Sequence, residues 1–297
     1  MHPRLGDLGV MTAIAIAATQ CVVPPSLCTP ETAEVGFFSK GDCVLTNASS
    51  FRGHEWLTLM GNDDVPSASD RFSPSEVRSI IEGNRRVDWP KELLVYMAQG
   101  VVAYTSAANA FQDRVEAQPV HFLLDDVNDT ADASAAGNAV MRERTRRGVS
   151  LWTSDRARAL TLFGQACHTL QDSFSRAHAD REPEHPRAPW CVRNIKVYLA
   201  RAPGRELPPE RIHGGLSGDT IGHTTTLDSI YRVGRECNSP LERADVDRCL
   251  SDEARRARLA TRDYLALVHD VVRRGATEEL DDRLEAFFAV HTPLCPP

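Results

Sequence analysis

Residues 156–178 read RARALTLFGQACHTLQDSFSRAH, and this stretch decides the fold. Leu160, Phe163, Cys167, Leu170 and Phe174 recur at three- and four-residue intervals, the spacing that lines one side of an α-helix. A helix over 156–174 is expected. At the margin of its apolar side stand His168 and Asp172, four apart and therefore on one face. Taking an imidazole and a carboxylate out of water is costly unless they are paired or metal-bound. One turn apart, they suit a single divalent ion, with a surface pair or a capped helix end as the plainer alternative. His178 follows Asp172 by six positions, about 240° further round a continuous helix, which turns it toward a different ion or past the helix end. With two carboxylate oxygens, Asp172 could also bridge two ions, as metal-assisted hydrolases often need.

Outward from this stretch the pattern stays helical. Ser73-Pro74-Ser75-Glu76 is a capping box with proline at the first helical position, opening a helix through Ile80 and Ile81 that stops at Gly83-Asn84. Residues 91–110 carry Leu94, Met97, Val101 and Tyr104 on one stripe, and 254–273 carry Leu259, Leu265, Val268 and Val272. A last short helix is expected over 278–290. No run alternates apolar and polar residues long enough for a strand. Residues 182–189 and 202–209 are expected loops, and the arginine-rich 142–147 a solvated face or loop. The expectation is one all-α, multi-helix domain over 19–297.

The chain has 297 residues, 42% hydrophobic and 25% charged, close to the globular average, which excludes pervasive disorder and collagen-like or coiled-coil classes. Its net charge of -7, from 34 basic and 41 acidic side chains, argues against bulk electrostatic capture of nucleic acid or anionic lipid. A phosphate-bearing substrate would need positive charge supplied locally, and a metal cluster can supply it. Residues 8–18 have the length of a signal-peptide core and are too short to span a bilayer. A signal peptide over 1–18 and a secreted or periplasmic protein are therefore expected, against the alternative of a buried N-terminal helix; no other segment reaches transmembrane length. Eight cysteines, an even number, suit disulfides in an oxidising compartment, although Cys167 falls within an apolar helical pattern and reads as a buried thiol. There is no CxxC pair, no Gly-x-Ser-x-Gly, no phosphate loop and no dinucleotide fingerprint. HEWLT is not the zincin HExxH, because Thr58 stands where the second histidine belongs.

Three further segments carry candidate ligands. Asp88, in GNRRVDWP, falls between two expected helices, where it could also be a helix cap. His121, in PVHFL, sits amid apolar neighbours, where a satisfied core histidine is the alternative. His54, in GHEWLT, is an early histidine beside an aromatic residue. Together these residues resemble the zinc-dependent phospholipase C and single-strand nuclease superfamily, whose signature His-x3-Asp-x5-His is matched by His168, Asp172 and His178. The resemblance touches residues 45–231. It implies an all-helical fold around a cluster of up to three zinc ions, with Asp88 and His121 completing the first zinc site and His54 serving the third.

For the second zinc the family uses a histidine with an acid four positions on. Here His223 is followed by Asp228 at five positions, which diverge by about 140° on a straight helix. His223 with Asp228 is the expected pair, and Asp219 or His213 remain open as replacements. Well-known members also bind the third zinc through an N-terminal tryptophan. No tryptophan follows a plausible cleavage site before Trp56, so two or three ions are expected.

The implied activity is phosphodiester hydrolysis, phospholipase C-type cleavage of phospholipid headgroups first, with Asp88 as both ligand and general base. Single-stranded nucleic acid is the alternative substrate, although aromatics for base stacking are only 6% of the chain. Trp56, Trp89, Trp152 and Trp190 could pack in the core or cage a choline through cation–π contacts. A third alternative is an exported, catalytically inactive binding protein on the same scaffold.

Overall fold

Capping and burial together set the helices. In the computed structural model, which describes residues 53–88, 114–124, 129–198, 212–213, 250–275 and 277–296, six α-helices form: α1 (Gly53–Asp64), α2 (Pro74–Asp88), α3 (Thr130–Leu151), α4 (Arg156–Asp172), α5 (Asp252–Arg274) and α6 (Leu280–His291). The fold is mostly all-α, as the periodicity predicts. The capping box at α2 forms, with the Ser73 backbone N–H donating to Glu76 Oε2 at 2.8 Å. Asp129, Asp155 and Ser251 accept first-turn N–H groups at the starts of α3, α4 and α5. Gly275, at φ 67°, closes α5 in the left-handed conformation.

The expected stripe of α4 is buried in full: Leu160, Phe163, Cys167, Leu170 and Phe174 join Leu57 and Met60 of α1, Ile80 of α2, Met141 of α3, Tyr264 and Val268 of α5 and Phe287 of α6 in one core. Helix α2 runs against α4 at close range. A Cβ on Gly164 would overlap the Ile80 carbonyl oxygen and lie 2.7 Å from the Asn84 backbone nitrogen. That contact sets Asn84 beside the last two turns of α4.

After α4 the chain turns into a short antiparallel pair, β1 (Ala179–Glu182) with β2 (Cys191–Ile195), with an irregularity between Asp180 and Arg181. A two-residue parallel pair follows, β3 (Val197–Tyr198) with β4 (Ile212–His213). Phe122, Leu124, Ala133, Ala179, Val192, Ile195 and Val197 form a second, smaller core beneath them. Cys191 is bonded to Cys295, and Cys167 is a buried free thiol.

Four expectations are corrected. Short strands do form, and no apolar alternation announces them because Arg181, Glu182 and Asn194 are half-buried and Arg193 is exposed. The arginine-rich 142–147 is not a loop: it lies within α3, where Glu143, Arg146 and Arg147 form the solvated face that was the other expectation, and the helix's buried residues include the small Ala133, Ser134, Gly137, Thr145 and Gly148. Helix α2 continues past Gly83-Asn84 and ends at Asp88, so Asp88 is a helical residue and not a loop one. Leu259 is exposed; α5 instead buries Ala254, Ala257, Thr261, Tyr264, Leu265 and Val268.

Outside the described residues lie the expected leader over 1–18, the helix expected over 91–110, Trp89, the loop over 202–209, and His223, Asp228 and Asp219. Among the described residues no helix is long and apolar enough to cross a membrane. The Cys191–Cys295 disulfide is compatible with an extracellular location.

Candidate metal centre

Five of the expected site residues meet at one point, and Asp172 is its centre. His168, one turn earlier on α4, brings Nε2 to 3.1 Å from Asp172 Oδ2. His54, at the start of α1, brings Nε2 to 3.2 Å from Oδ1. His121 brings Nδ1 to 3.2 Å from Oδ2, and His178 brings Nε2 to 3.9 Å from Oδ1. The His54 and His168 rings stack at 4.1 Å, and His168 Nε2 lies 3.3 Å from His121 Nδ1. One ligand atom each from His54, His168 and Asp172 fit within 4.8 Å of one another.

Local structure explains how distant residues arrive here. His121 ends a single 3-10 turn, Pro119–His121, after which Phe122 takes a left-handed φ of 51° and reverses the chain. Thr169 Oγ1 donates to the Val120 carbonyl at 2.7 Å, fastening that turn to α4. His178 returns to Asp172 because α4 stops. Phe174 N–H bonds back to Gln171 O, Ser175 N–H to Asp172 O and His178 N–H to Ser175 O, so two tight turns replace the continuous helix that would have carried His178 away. Arg181 holds these turns, donating to Ser173 O, Ser173 Oγ, Trp190 O and His291 O while its guanidinium lies 3.9 Å from the Phe174 ring centroid. Burial pushes this guanidinium down to about 9, so it stays charged at neutral pH.

The cluster is taken out of water: His168 is 0%, Asp172 1% and His54 2% exposed, against 8% for His121 and 7% for His178. Burial works to raise the Asp172 carboxyl, but His168 and His178 by their charge, and His121 and His168 by hydrogen bonds, hold it well below the usual carboxylate range. Burial pushes His178 down to about 4.

The second ring nitrogens decide what the cluster can hold. His54 Nδ1 lies 2.7 Å from Gln171 Oε1 and His168 Nδ1 3.0 Å from Asn84 Oδ1, while His178 Nδ1 donates to the His121 carbonyl at 2.6 Å. A ring held in this way that carries a single proton turns its Nε2 lone pair toward the Asp172 carboxylate, an arrangement of acceptors that a bound cation, like a second proton, resolves. Metal-bound histidines have this outer partnership. The residues present fit a divalent ion, and the buried His54, His168 and Asp172 could hold one.

Asp88 is the last residue of α2, four positions after Asn84. His213 pairs by its backbone with Tyr198 in the β3–β4 bridge. Sequence reasoning missed Asn84, Gln171, Thr58 and Thr261. The available signal was spacing: Thr58 is four after His54 on α1, and Gln171 three after His168 on α4. Comparison with known protein families, curated proteins and solved structures gives no match to this chain.

Proposed function

We propose that the protein is a zinc-dependent phosphoric diester hydrolase that cleaves phospholipid headgroups in the manner of a phospholipase C. One observation carries the proposal: the imidazoles of a His-x3-Asp-x5-His stretch and of two remote segments converge on a single buried carboxylate. His54, His168 and Asp172 would hold an ion, and His121 and His178 stand beside them as further ligands. When bound, a zinc ion supplies Lewis acidity to a phosphoryl oxygen and lowers the pKa of coordinated water toward about 7.

The chain's own groups set the rest. Asp172 provides a permanent anion at neutral pH, and His178 stays neutral, so neither needs to change charge to bind a cation. His121 and His178 are the least buried members of the cluster, which supports an approach of substrate from their side. Asp88 is proposed as a further ligand and proton acceptor on the strength of the family resemblance. The chain's acidic balance is no obstacle, since the positive charge is local.

Lipid is preferred to single-stranded nucleic acid because stacking platforms are wanting among the described residues. Trp56 and Trp152 pack against the core, and Trp190 faces the Arg256 guanidinium at 5.2 Å.

Elemental analysis of protein purified without added metal, followed by phosphocholine release from phosphatidylcholine beside cleavage of single-stranded DNA, tests the proposal. Zinc in the native chain with phosphocholine release is expected, and both should be lost in His168→Ala and Asp172→Asn. DNA cleavage alone would make the protein a nuclease. Full activity after chelation, or zinc without hydrolysis of either substrate, would remove the assignment and leave a binding protein.

A further inference from the structure

Behind the two most buried histidines lies a closed set of polar side chains from four helices. Thr58 of α1 donates its hydroxyl proton to the His54 carbonyl at 2.8 Å, and Thr261 of α5 donates its own to the Ala257 carbonyl at 2.7 Å. A hydroxyl has one proton, so both oxygens can only accept from anything else. Gln171 of α4 approaches both, at 3.0 and 3.1 Å, and must therefore present its NH2 to them. Its Oε1 then faces the other way, where it accepts from His54 Nδ1 and, at 3.0 Å, from the Asn84 amide of α2. Asn84 Nδ2 also donates to Thr58 at 3.2 Å, which leaves Asn84 Oδ1 to accept from His168 Nδ1.

Each step is forced by the one before it. Turning over the Gln171 amide would set its NH2 against the NH2 of Asn84 and its oxygen against two threonine oxygens, whatever the His54 ring carries. Turning over Asn84 would fail in the same way. The two helix carbonyls thus dictate, through four side chains, where the protons of two imidazoles sit.

We propose that Gln171 and Asn84, oriented by Thr58 and Thr261, form a lock that fixes His54 and His168 as Nδ1–H tautomers and so presents both Nε2 atoms to a divalent cation before it arrives. Gln171 is the central positioning residue, since it alone touches both threonines, Asn84 and His54. This inference rests on the metal-centre assignment. Outer partners of this kind are worth about 10- to 100-fold in metal affinity.

The test uses the full chain labelled with 15N-histidine. The tautomers of His54 and His168 are read from two-bond nitrogen–proton correlations after chelator stripping, with His54→Gln and His168→Gln identifying the signals. Zinc affinity is measured by competition with a chromophoric chelator. The stripped native protein is expected to show both rings as Nδ1–H. The near-isosteric Gln171→Met should let the His54 and His168 signals move toward tautomer averages and weaken zinc binding about 10- to 100-fold. Thr58→Val, which keeps shape and removes the accepting oxygen, should move the same signals and affinity by less. It decides the matter if Gln171→Met does not fold.

An Nε2–H tautomer at either ring in the native protein overturns the lock. So do unchanged tautomers and affinity in both variants of a chain that binds zinc. A native chain that binds no zinc overturns the metal-centre assignment itself, and the lock's role with it.

Discussion

Asp172 is the residue on which the interior turns. Among the described residues its ion-pair partners are all histidines, so its burial is compensated by rings whose own charge depends on pH. His178 gives the clearest consequence. Burial pushes its imidazole down to about 4, although Asp172 pulls the other way. In the unfolded chain the same ring takes up a proton near pH ~6.5. Between those values the unfolded state binds more protons than the native one, so the stability of metal-stripped protein falls as pH drops through that window. Asp172, held low in the fold, adds loss of the same sign below the ordinary carboxylate range. Urea midpoints of stripped protein should decline from neutral pH into this window, and His178→Gln should flatten the decline. An identical slope in that variant would show that the ring titrates normally.

At the scale of elements, the α2–α4 crossing positions the cluster, because it carries Asn84 on one side and His168 and Asp172 on the other. Gly164→Ala forces the helices apart against the Ile80 carbonyl and should destabilise the fold by about 2 kcal/mol, as overpacked cores do. Gly275→Ala meets nothing within 4 Å and should lose about 1 kcal/mol through its left-handed φ alone. Equilibrium unfolding ranks the two, and only the first should also weaken zinc binding. A Gly164→Ala protein of native stability would mean that the helices do not approach this closely.

Elements were legible in the sequence where burial is apolar. The stripe of α4 is of that kind, while α2 is declared by the exposed hydrogen bonds of the Ser73–Glu76 box, and both form as expected. Helix α1 was not legible, because it buries His54, Glu55, Thr58 and Asn62, polar residues that satisfy one another or distant partners. Helix α3 was hidden for a different reason, since it meets the core largely through small residues that add little to an apolar pattern. The His168–Asp172 pair showed in spacing, but the return of His178 did not. It depends on α4 ending at Asp172, and that end is fixed by turns and by Arg181, which lies eight positions beyond Ser173 and three beyond the motif's last residue.

For the whole molecule, the long-range covalent fastening among the described residues is the Cys191–Cys295 bond. It ties β2 to the segment after α6 across 104 residues of chain. Backbone bonds surround it: Val192 N–H donates to Pro293 O at 2.7 Å and Cys295 N–H to Val192 O at 3.0 Å. Arg181 adds a third tie through the His291 carbonyl. Closing a loop of about 100 residues removes enough freedom from the unfolded chain to stabilise the fold by up to about 4.7 kcal/mol. At about 2–4 °C per kcal/mol for a chain of this order, replacing both cysteines by serine should lower the melting temperature by roughly 10 °C. The cluster sits on α1, α4 and the 119–121 turn, none of which the bond joins directly, so the serine variant should still bind zinc while folded. Reduction of the native protein should reproduce the drop, and the serine variant should not respond to reductant at this bond. A melting temperature indifferent to both treatments would mean that β2 and the C-terminal segment are held by their hydrogen bonds alone.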